Sequence, residues 1–283
     1  MPIGYNRLGS NGRLGNQMFQ YAGLRGIAAY KGFSWVVPKP DSYGASNYGL
    51  FDCFEMSSVQ EQNFGYINRE SVETRCFHYS KEFVDNLLDN VNLHDYFQSE
   101  KYFENIKDVI RKDFTFKKEI LDPCKEIISE LENPIFLHVR RGDYVNHQYA
   151  HPLCSIEYYE KALTYFDSSS SVLVFSDDIE WCKEQSLFSD DRFMLSEYAE
   201  RYPQKCDTND GKQNALVPYF DMCMMSLCTG GIMANSSMSW WGAWLIENPT
   251  QPIVAPKRWF GEKYDHYDMS DLIPERWVQI EVD

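Results

Sequence analysis

The stretch Ile135-Phe-Leu-His-Val-Arg-Arg-Gly-Asp-Tyr144 decides the fold class of this chain. The apolar run from Ile135 to Val139 is short, follows the turn signal Asn133-Pro134, and ends abruptly in Arg140, Arg141, Gly142 and Asp143. Such a run reads as a buried strand, and the charged cluster falls where that strand leaves its sheet. Ligands of open α/β sheets occupy the crevice beyond the carboxyl ends of the strands. Two guanidiniums there need an anion to face. A diphosphate is the natural one, because the planar guanidinium fork matches phosphate oxygens two at a time.

The pattern around this strand agrees. Downstream, Ser155 reads as the cap of a helix with Ile156, Tyr159, Leu163 and Phe166 on one face. A serine run, Ser168 to Ser171, precedes the strand Val172–Phe175. A helix from about Ile179, a short strand near Phe193, a helix across 215–227 and a glycine-led strand from Gly230 to Ala234 follow. The helix Met238–Glu247 and the strand Ile253–Ala255 close the series. Strands alternating with helices over 133–255 predict a mostly parallel sheet with helices on both faces. Upstream, Gly12-Arg-Leu-Gly-Asn-Gln17 opens a helix from about Asn16 to Tyr30, and Phe33–Val37 reads as a strand stopped by Pro38 and Pro40. Residues 38–80 have weak periodicity, and 81–132 look helical with an interruption at Pro123. The expected architecture is α/β, two Rossmann-like halves split near residue 132, with 256–283 crossing back onto the first half.

Composition narrows the function classes. Lys and Arg number 27 against 42 Asp and Glu, so the net charge of −15 disfavours binding to nucleic acid or to an anionic membrane. A bound anion therefore requires a local basic site. The eight cysteines form no C-x-x-C pair, which excludes zinc-finger spacing. With no signal-peptide pattern and no run of transmembrane length, a cytoplasmic protein with mostly reduced thiols is expected.

Three constellations carry candidate chemistry. Arg140 and Arg141 are neighbours and so point to opposite faces; one meets a ligand while the other braces it. The alternative for the pair is a structural salt bridge. Ser176-Asp-Asp178 leaves a second strand, where Asp177 and Asp178 either cap the next helix or touch a ribose or base. Asn235-Ser-Ser237 opens a third helix, whose hydroxyls and free amides suit an anion or simply cap it. The indoles of Trp240, Trp241 and Trp244 read mainly as core, with one ring able to stack on a base or sugar. His147 and His151 lie in a polar loop beside the arginines, as bases or as solvated side chains. The Gly12–Gln17 loop is neither G-x-G-x-x-G nor a P-loop. The sequence contains no D-x-D, H-E-x-x-H or G-x-S-x-G.

Taken together, Gly12-Arg-Leu-Gly-Asn-Gln-Met-Phe-Gln-Tyr-Ala22, His138-Val-Arg-Arg-Gly-Asp-Tyr144, Val174-Phe-Ser-Asp-Asp178 and Asn235-Ser-Ser-Met-Ser-Trp-Trp-Gly-Ala-Trp-Leu245 resemble the α-1,2-fucosyltransferases of glycosyltransferase family 11. Pro256-Lys-Arg-Trp-Phe260 fits the family's C-terminal end. The resemblance implies a GT-B-like fold with the nucleotide mainly on the C-terminal half and acceptor choice in residues 1–132. It implies inverting transfer of fucose from GDP-fucose to the 2-hydroxyl of a β-galactoside, with no essential metal and no other cofactor. By the same carry-over, Arg140 holds the donor diphosphate with Arg141 in support. His138 and Asn235 belong to the donor site, Asp177 and Asp178 meet the guanosine, and Ser236 and Ser237 join the phosphate site. Gly15 and Asn16 form a loop that closes from the first half.

Asp143 is the first candidate for a base that takes the acceptor's proton, because it lies next to the arginines; its alternative role is to orient Arg141. Rival readings are a fucosyltransferase of another linkage, a nucleotide- or glycan-binding module without turnover, and a structural protein that uses the tryptophan helix as an interface.

Overall fold

The computed structural model describes residues 1–40, 49–69, 71–74, 77–196 and 219–281. Two compact units emerge. The first comprises residues 1–117 with 267–274; the second takes 118–196, 219–266 and 275–281.

The first unit is built around a four-stranded parallel sheet in the order β2-β1-β4-β3, formed by β1 (Pro2–Gly4), β2 (Ser34–Val36), β3 (Ser71–Val72) and β4 (Asn92–Leu93). Of these, only β2 was legible beforehand. The others are two or three residues long and carry too little pattern to read. Helix α1 (Leu14–Lys31) follows β1 and is buried on nearly every side from Leu14 to Ala28, as an apolar helix at the centre of a unit must be. It stops at Gly32, whose left-handed φ of 67° lets its own amide and that of Phe33 turn back onto the last helical carbonyls. Gly26 lets the chain at Tyr102 and Phe103 lie against α1; a Cβ there would strike the Tyr102 carbonyl. Shorter helices α2 (Gly49–Cys53), α3 (Lys81–Asn86) and α4 (Lys107–Asp113) complete the unit.

A buried ion pair locks α1 to α4. Arg25 Nη1 donates to Asp113 Oδ2 at 2.7 Å and to the Tyr21 hydroxyl at 2.6 Å, and that hydroxyl donates to Asp113 at 2.8 Å. The Ser58 amide satisfies the other carboxylate oxygen at 2.8 Å, and the guanidinium lies 4.3 Å over Trp35. Every charge in this group is met by its complement, the condition under which a buried pair is tolerated.

The second unit begins with α5 (Lys118–Ser129), which runs through Pro123. The expected interruption does not occur, because a proline costs a helix one backbone bond and strain but not continuity when packing holds it. The sheet has six parallel strands in the order β10-β9-β8-β5-β6-β7. These are β5 (Ile135–Val139), β6 (Val172–Ser176), β7 (Phe193–Leu195), β8 (Gly230–Ile232), β9 (Ile253–Pro256) and β10 (Val278–Ile280). Helices α6 (Ile156–Leu163), α7 (Ile179–Glu184), α8 (Tyr219–Leu227) and α9 (Ser237–Leu245) connect them. The expected start of α8 at 215–218 lies outside the described residues.

Along β5, Ile135, Leu137 and Val139 join a core with Tyr158, Tyr159 and Ala162 of α6. Strand alternation sends Phe136 and His138 to the opposite face, where a Cβ on Gly231 would meet the Phe136 ring. Trp240 and Trp241 are fully buried and Trp244 is nearly so; all three are core. Cys124, Cys154, Cys182 and Cys228 are free and buried. No helix among the described residues is long and apolar enough to cross a membrane.

Candidate active site

The second sheet changes direction at β5. Its successors β6 and β7 lie on one side, and β8, β9 and β10 on the other. Carboxyl ends that flank such a switch point form a ligand crevice. The chain leaving β5 carries Arg140 and Arg141, that leaving β6 carries Asp177 and Asp178, and that leaving β8 carries Asn235, Ser236 and Ser237. All seven belong to the same unit.

Arg140 is held at two corners. Its Nη1 meets Asp177 Oδ2 at 2.5 Å and its Nη2 pairs with Asp143 Oδ1. Its guanidinium also lies 5.0 Å from the centre of the Tyr144 ring. Arg141 donates its backbone amide to Asp177 Oδ1 at 2.8 Å and its Nε to Asp178 Oδ2 at 3.0 Å, and stacks 4.0 Å over Trp181. Asp177 therefore spans both arginines. That approach depends on Gly142, because a Cβ at 142 would collide with the Asp177 carboxylate.

Asp178 caps the next helix, as one of its two readings expected, and also braces Arg141. One oxygen braces Arg141, and the other accepts from the Trp181 amide at 3.3 Å and caps α7. Asp143, expected to serve Arg141 if it served either, instead pairs with Arg140. The single helical turn Gly142–Asn146 swings its carboxylate back onto that side.

His138 lies buried beneath this cluster with its Nδ1 lacking a hydrogen-bond partner. Burial, reinforced by the Arg140 charge, pulls its pKa down to about 3 and keeps the ring neutral. Asn235 donates its amide to the carbonyls of Pro152 at 2.9 Å and Trp259 at 3.0 Å, so its side chain shapes the loop. Ser236 caps α9, its Oγ accepting from the Met238 amide at 3.4 Å, and both Ser236 and Ser237 are half-buried at the helix N-terminus. Gly15 and Asn16 belong to the first unit. They form the first turn of α1 rather than a loop, and Asn16 Oδ1 accepts from Gln98 at 3.1 Å.

Tyr144 and Asp221 carried no expectation from the sequence, whereas His147 and His151 were expected as bases or as solvated side chains. Tyr144 links the arginines to β8, its hydroxyl donating to the Asn235 carbonyl at 3.2 Å; burial raises its pKa to about 12. His151 stacks on Tyr144 with ring centres 4.7 Å apart and packs against Phe260. Burial lowers its pKa. His147 meets the Asp143 carbonyl at 2.8 Å. Asp221, in the first turn of α8, accepts from Ser196 at 3.1 Å just past β7; burial lifts its carboxyl to about 6. The signal for Tyr144 was its adjacency to the cluster. For Asp221 it was a lone acid in the otherwise apolar run Tyr219–Met225. Among the described residues, no group of three or more His, Cys, Asp or Glu side chains could hold a metal ion.

An edge that offers two clamped guanidiniums, a capped helix N-terminus and polar side chains suits a phosphorylated ligand. The model of glycosyl transferase family 11 matches residues 3–281. An α-1,2-colitosyltransferase from Escherichia coli is 31% identical, over 95% of this chain and 97% of its own length. The human galactoside α-(1,2)-fucosyltransferase 1 is 24% identical over 85% of this chain, which spans 65% of that relative. Among solved structures, the fucosyltransferase NodZ from Bradyrhizobium superposes with a TM-score of 0.53 at 15% identity, covering 88% of this chain and 96% of its own. A crystal of NodZ, an α-1,6-fucosyltransferase, soaked with GDP-fucose gives 0.52 at 14% identity, covering 87% and 92%. That likeness shows the fold, which is α/β and GT-B-like. With its whole length matched by the family model, this chain belongs to glycosyl transferase family 11.

Proposed function

We propose that the protein transfers L-fucose from GDP-fucose to the 2-hydroxyl of a terminal β-galactoside, with inversion and without an essential metal. The observation that carries this reading is the guanidinium pair clamped at the switch point of the second sheet. As the sugar departs, charge grows on the β-phosphate oxygens. A preorganised guanidinium stabilises that charge without reorganising, which is the work a metal does elsewhere. Arg140 is the catalytic cation. Asp143 and Asp177 orient it, and Arg141 braces Asp177. The cap of α9 at Ser236 and Ser237 offers amides to the phosphates. Asp177 and Asp178 bound the nucleoside side. The acceptor belongs to the first unit.

A second reading differs only in the sugar. The relative that is 31% identical is an α-1,2-colitosyltransferase. The test is a competition between GDP-fucose and GDP-colitose with lactose as acceptor, with and without a chelator, followed by linkage analysis of the product. Fucosyl-α-1,2-lactose formed in the chelator supports the first reading. Colitosyl product alone supports the second. Activity abolished by the chelator refutes the metal-free step.

A further inference from the structure

We propose that the aromatic cluster of Tyr144, His151, Phe260 and Tyr264, beside Arg140 in the second unit, receives the sugar ring of the donor and selects a 6-deoxy sugar. The proposal deepens the transferase reading above and rests on it. The cluster is formed by the chains that leave β5 and β9. Tyr144 and His151 stack with ring centres 4.7 Å apart and planes 16° from parallel. His151 packs on Phe260 at 5.6 Å and on Tyr264 at 6.4 Å, and those two rings lie 5.1 Å apart. All four residues belong to the same unit as Arg140.

Strand order gives the direction. Arg140 leaves β5, at the switch point of the sheet. Asp177 and Asp178 leave β6 on one side of it; the chains that leave β8 and β9, and with them Phe260 and Tyr264, lie on the other. A sugar nucleotide carries its nucleoside on one phosphorus and its sugar on the other. Held at Arg140 with the nucleoside toward Asp177 and Asp178, it sends the sugar toward β8 and β9. The aromatic cluster stands there in contact with the arginine. The Arg140 guanidinium donates to the Tyr144 hydroxyl and lies 5.0 Å from the centre of its ring.

Backbone bonds hold this wall in place. Gly261 donates its amide to the Ala150 carbonyl at 2.9 Å, and Lys263 donates to the Tyr149 carbonyl at 3.0 Å. Gly261 permits that approach, because a Cβ there would come within 2.4 Å of the Tyr149 carbonyl. Asn235 ties the same two chains together through the Pro152 and Trp259 carbonyls. The rings are nevertheless not closed into a core: His151, Phe260 and Tyr264 are all half-buried. Neither ring nitrogen of His151 has a hydrogen-bond partner among the described residues, and neither is sealed from solvent. An aromatic surface with one open polar edge is the lining a small-molecule site needs.

The chemistry of the wall fits one class of sugar. Fucose and colitose both carry a methyl group where a hexose carries a hydroxymethyl group. A methyl group gains by leaving water for an aromatic surface. A hydroxyl in its place loses its water and finds no partner on a phenyl ring. Burial lowers the His151 pKa, so the ring is neutral and offers one donor and one acceptor to the hydroxyls of the sugar. The arginines meet the diphosphate, and the aromatic cluster meets the sugar.

The test compares GDP-L-fucose with GDP-L-galactose, which differ only by the hydroxyl on the sixth carbon, using the full chain and lactose. Wild type should favour fucose by roughly 100-fold in kcat/KM. Phe260→Ser places a hydroxyl in the wall and should cut that preference about tenfold, with GDP affinity by calorimetry within threefold of wild type. Tyr264→Ser guards against a folding defect at position 260 and should shift the preference in the same direction. His151→Phe keeps the stack and removes the nitrogens; kcat/KM for both donors should fall about tenfold with the preference intact. The proposal is overturned if wild type uses both donors equally, or if the folded serine variants keep the wild-type preference. It is also overturned if His151→Phe transfers as well as wild type, or if GDP affinity falls in proportion to transfer. A wild type that transfers neither sugar defeats the transferase reading instead. The same preference is then read from calorimetric binding of the two GDP-sugars, which keeps the two failures apart.

Discussion

Replacing Arg140 by lysine keeps the charge and removes the fork. The guanidinium has five N–H donors, of which one serves Asp177, one serves Asp143 and one serves Tyr144, leaving two for a ligand. A lysine has three donors on one nitrogen. It cannot hold two carboxylates on opposite sides and still present a pair of donors to a diphosphate. Losing two charge-assisted hydrogen bonds at about 1.5–3 kcal/mol each removes ~3–6 kcal/mol, or roughly 10²–10⁴-fold in kcat/KM. Because the charge on the leaving phosphate grows during the reaction, turnover should suffer more than GDP affinity. Steady-state release of GDP in the presence of lactose gives the first quantity; titration calorimetry with GDP gives the second. The site lies at the edge of the sheet, so the melting temperature should be unchanged. A folded Arg140→Lys protein with kcat/KM within threefold of wild type would refute the argument.

Further outcomes follow from neighbouring geometry. Gly142→Ala drives a methyl group into the Asp177 carboxylate; kcat/KM should fall roughly 10- to 100-fold with little change in melting temperature, and unchanged kinetics would show that Asp177 does not set the arginines. Asp113→Ala leaves Arg25 buried without its partner and should cost about 3–5 kcal/mol, read by urea denaturation. Acid should act on His138 and Asp221 with opposite signs. The native His138 titrates at about 3, so the unfolded chain alone binds a proton as pH falls below about 6.5, and stability drops by up to ~1.4 kcal/mol per pH unit. The native Asp221 binds its proton at about 6, before the unfolded chain does near 3.9, so it adds stability as pH falls through that window. Asp221→Asn should therefore steepen the acid loss between about pH 6 and 4, and His138→Phe should flatten it. Denaturation midpoints across pH that move in parallel for wild type and both variants would contradict this.

The parallel C-terminal sheet could be read in one dimension because its strands are buried on both faces. Full burial writes itself as unbroken apolar runs such as Ile135–Val139 and Val172–Phe175, each ended by turn or charged residues. The motif residues were legible for the same reason: charge at the end of an apolar run has few structural explanations. The sequence by itself thus determined the α/β class, the carboxyl-edge location of Arg140, Arg141, Asp177 and Asp178, and the family. Tertiary structure decided what two-residue strands and pairings across tens of positions decide. The strands β3 and β4 are too short for any periodicity, yet their pairing carries Glu73 to His94 across 21 positions. Asp143 sits three residues from Arg140 and two from Arg141, and the expected partner was Arg141; the turn at Gly142 gives it to Arg140 instead. Pro123 reads as a break until α5 packs against α8 and holds it. For the short strands and for Pro123 the deciding free energy comes from contacts between distant residues, which leave no local trace in the order of the chain.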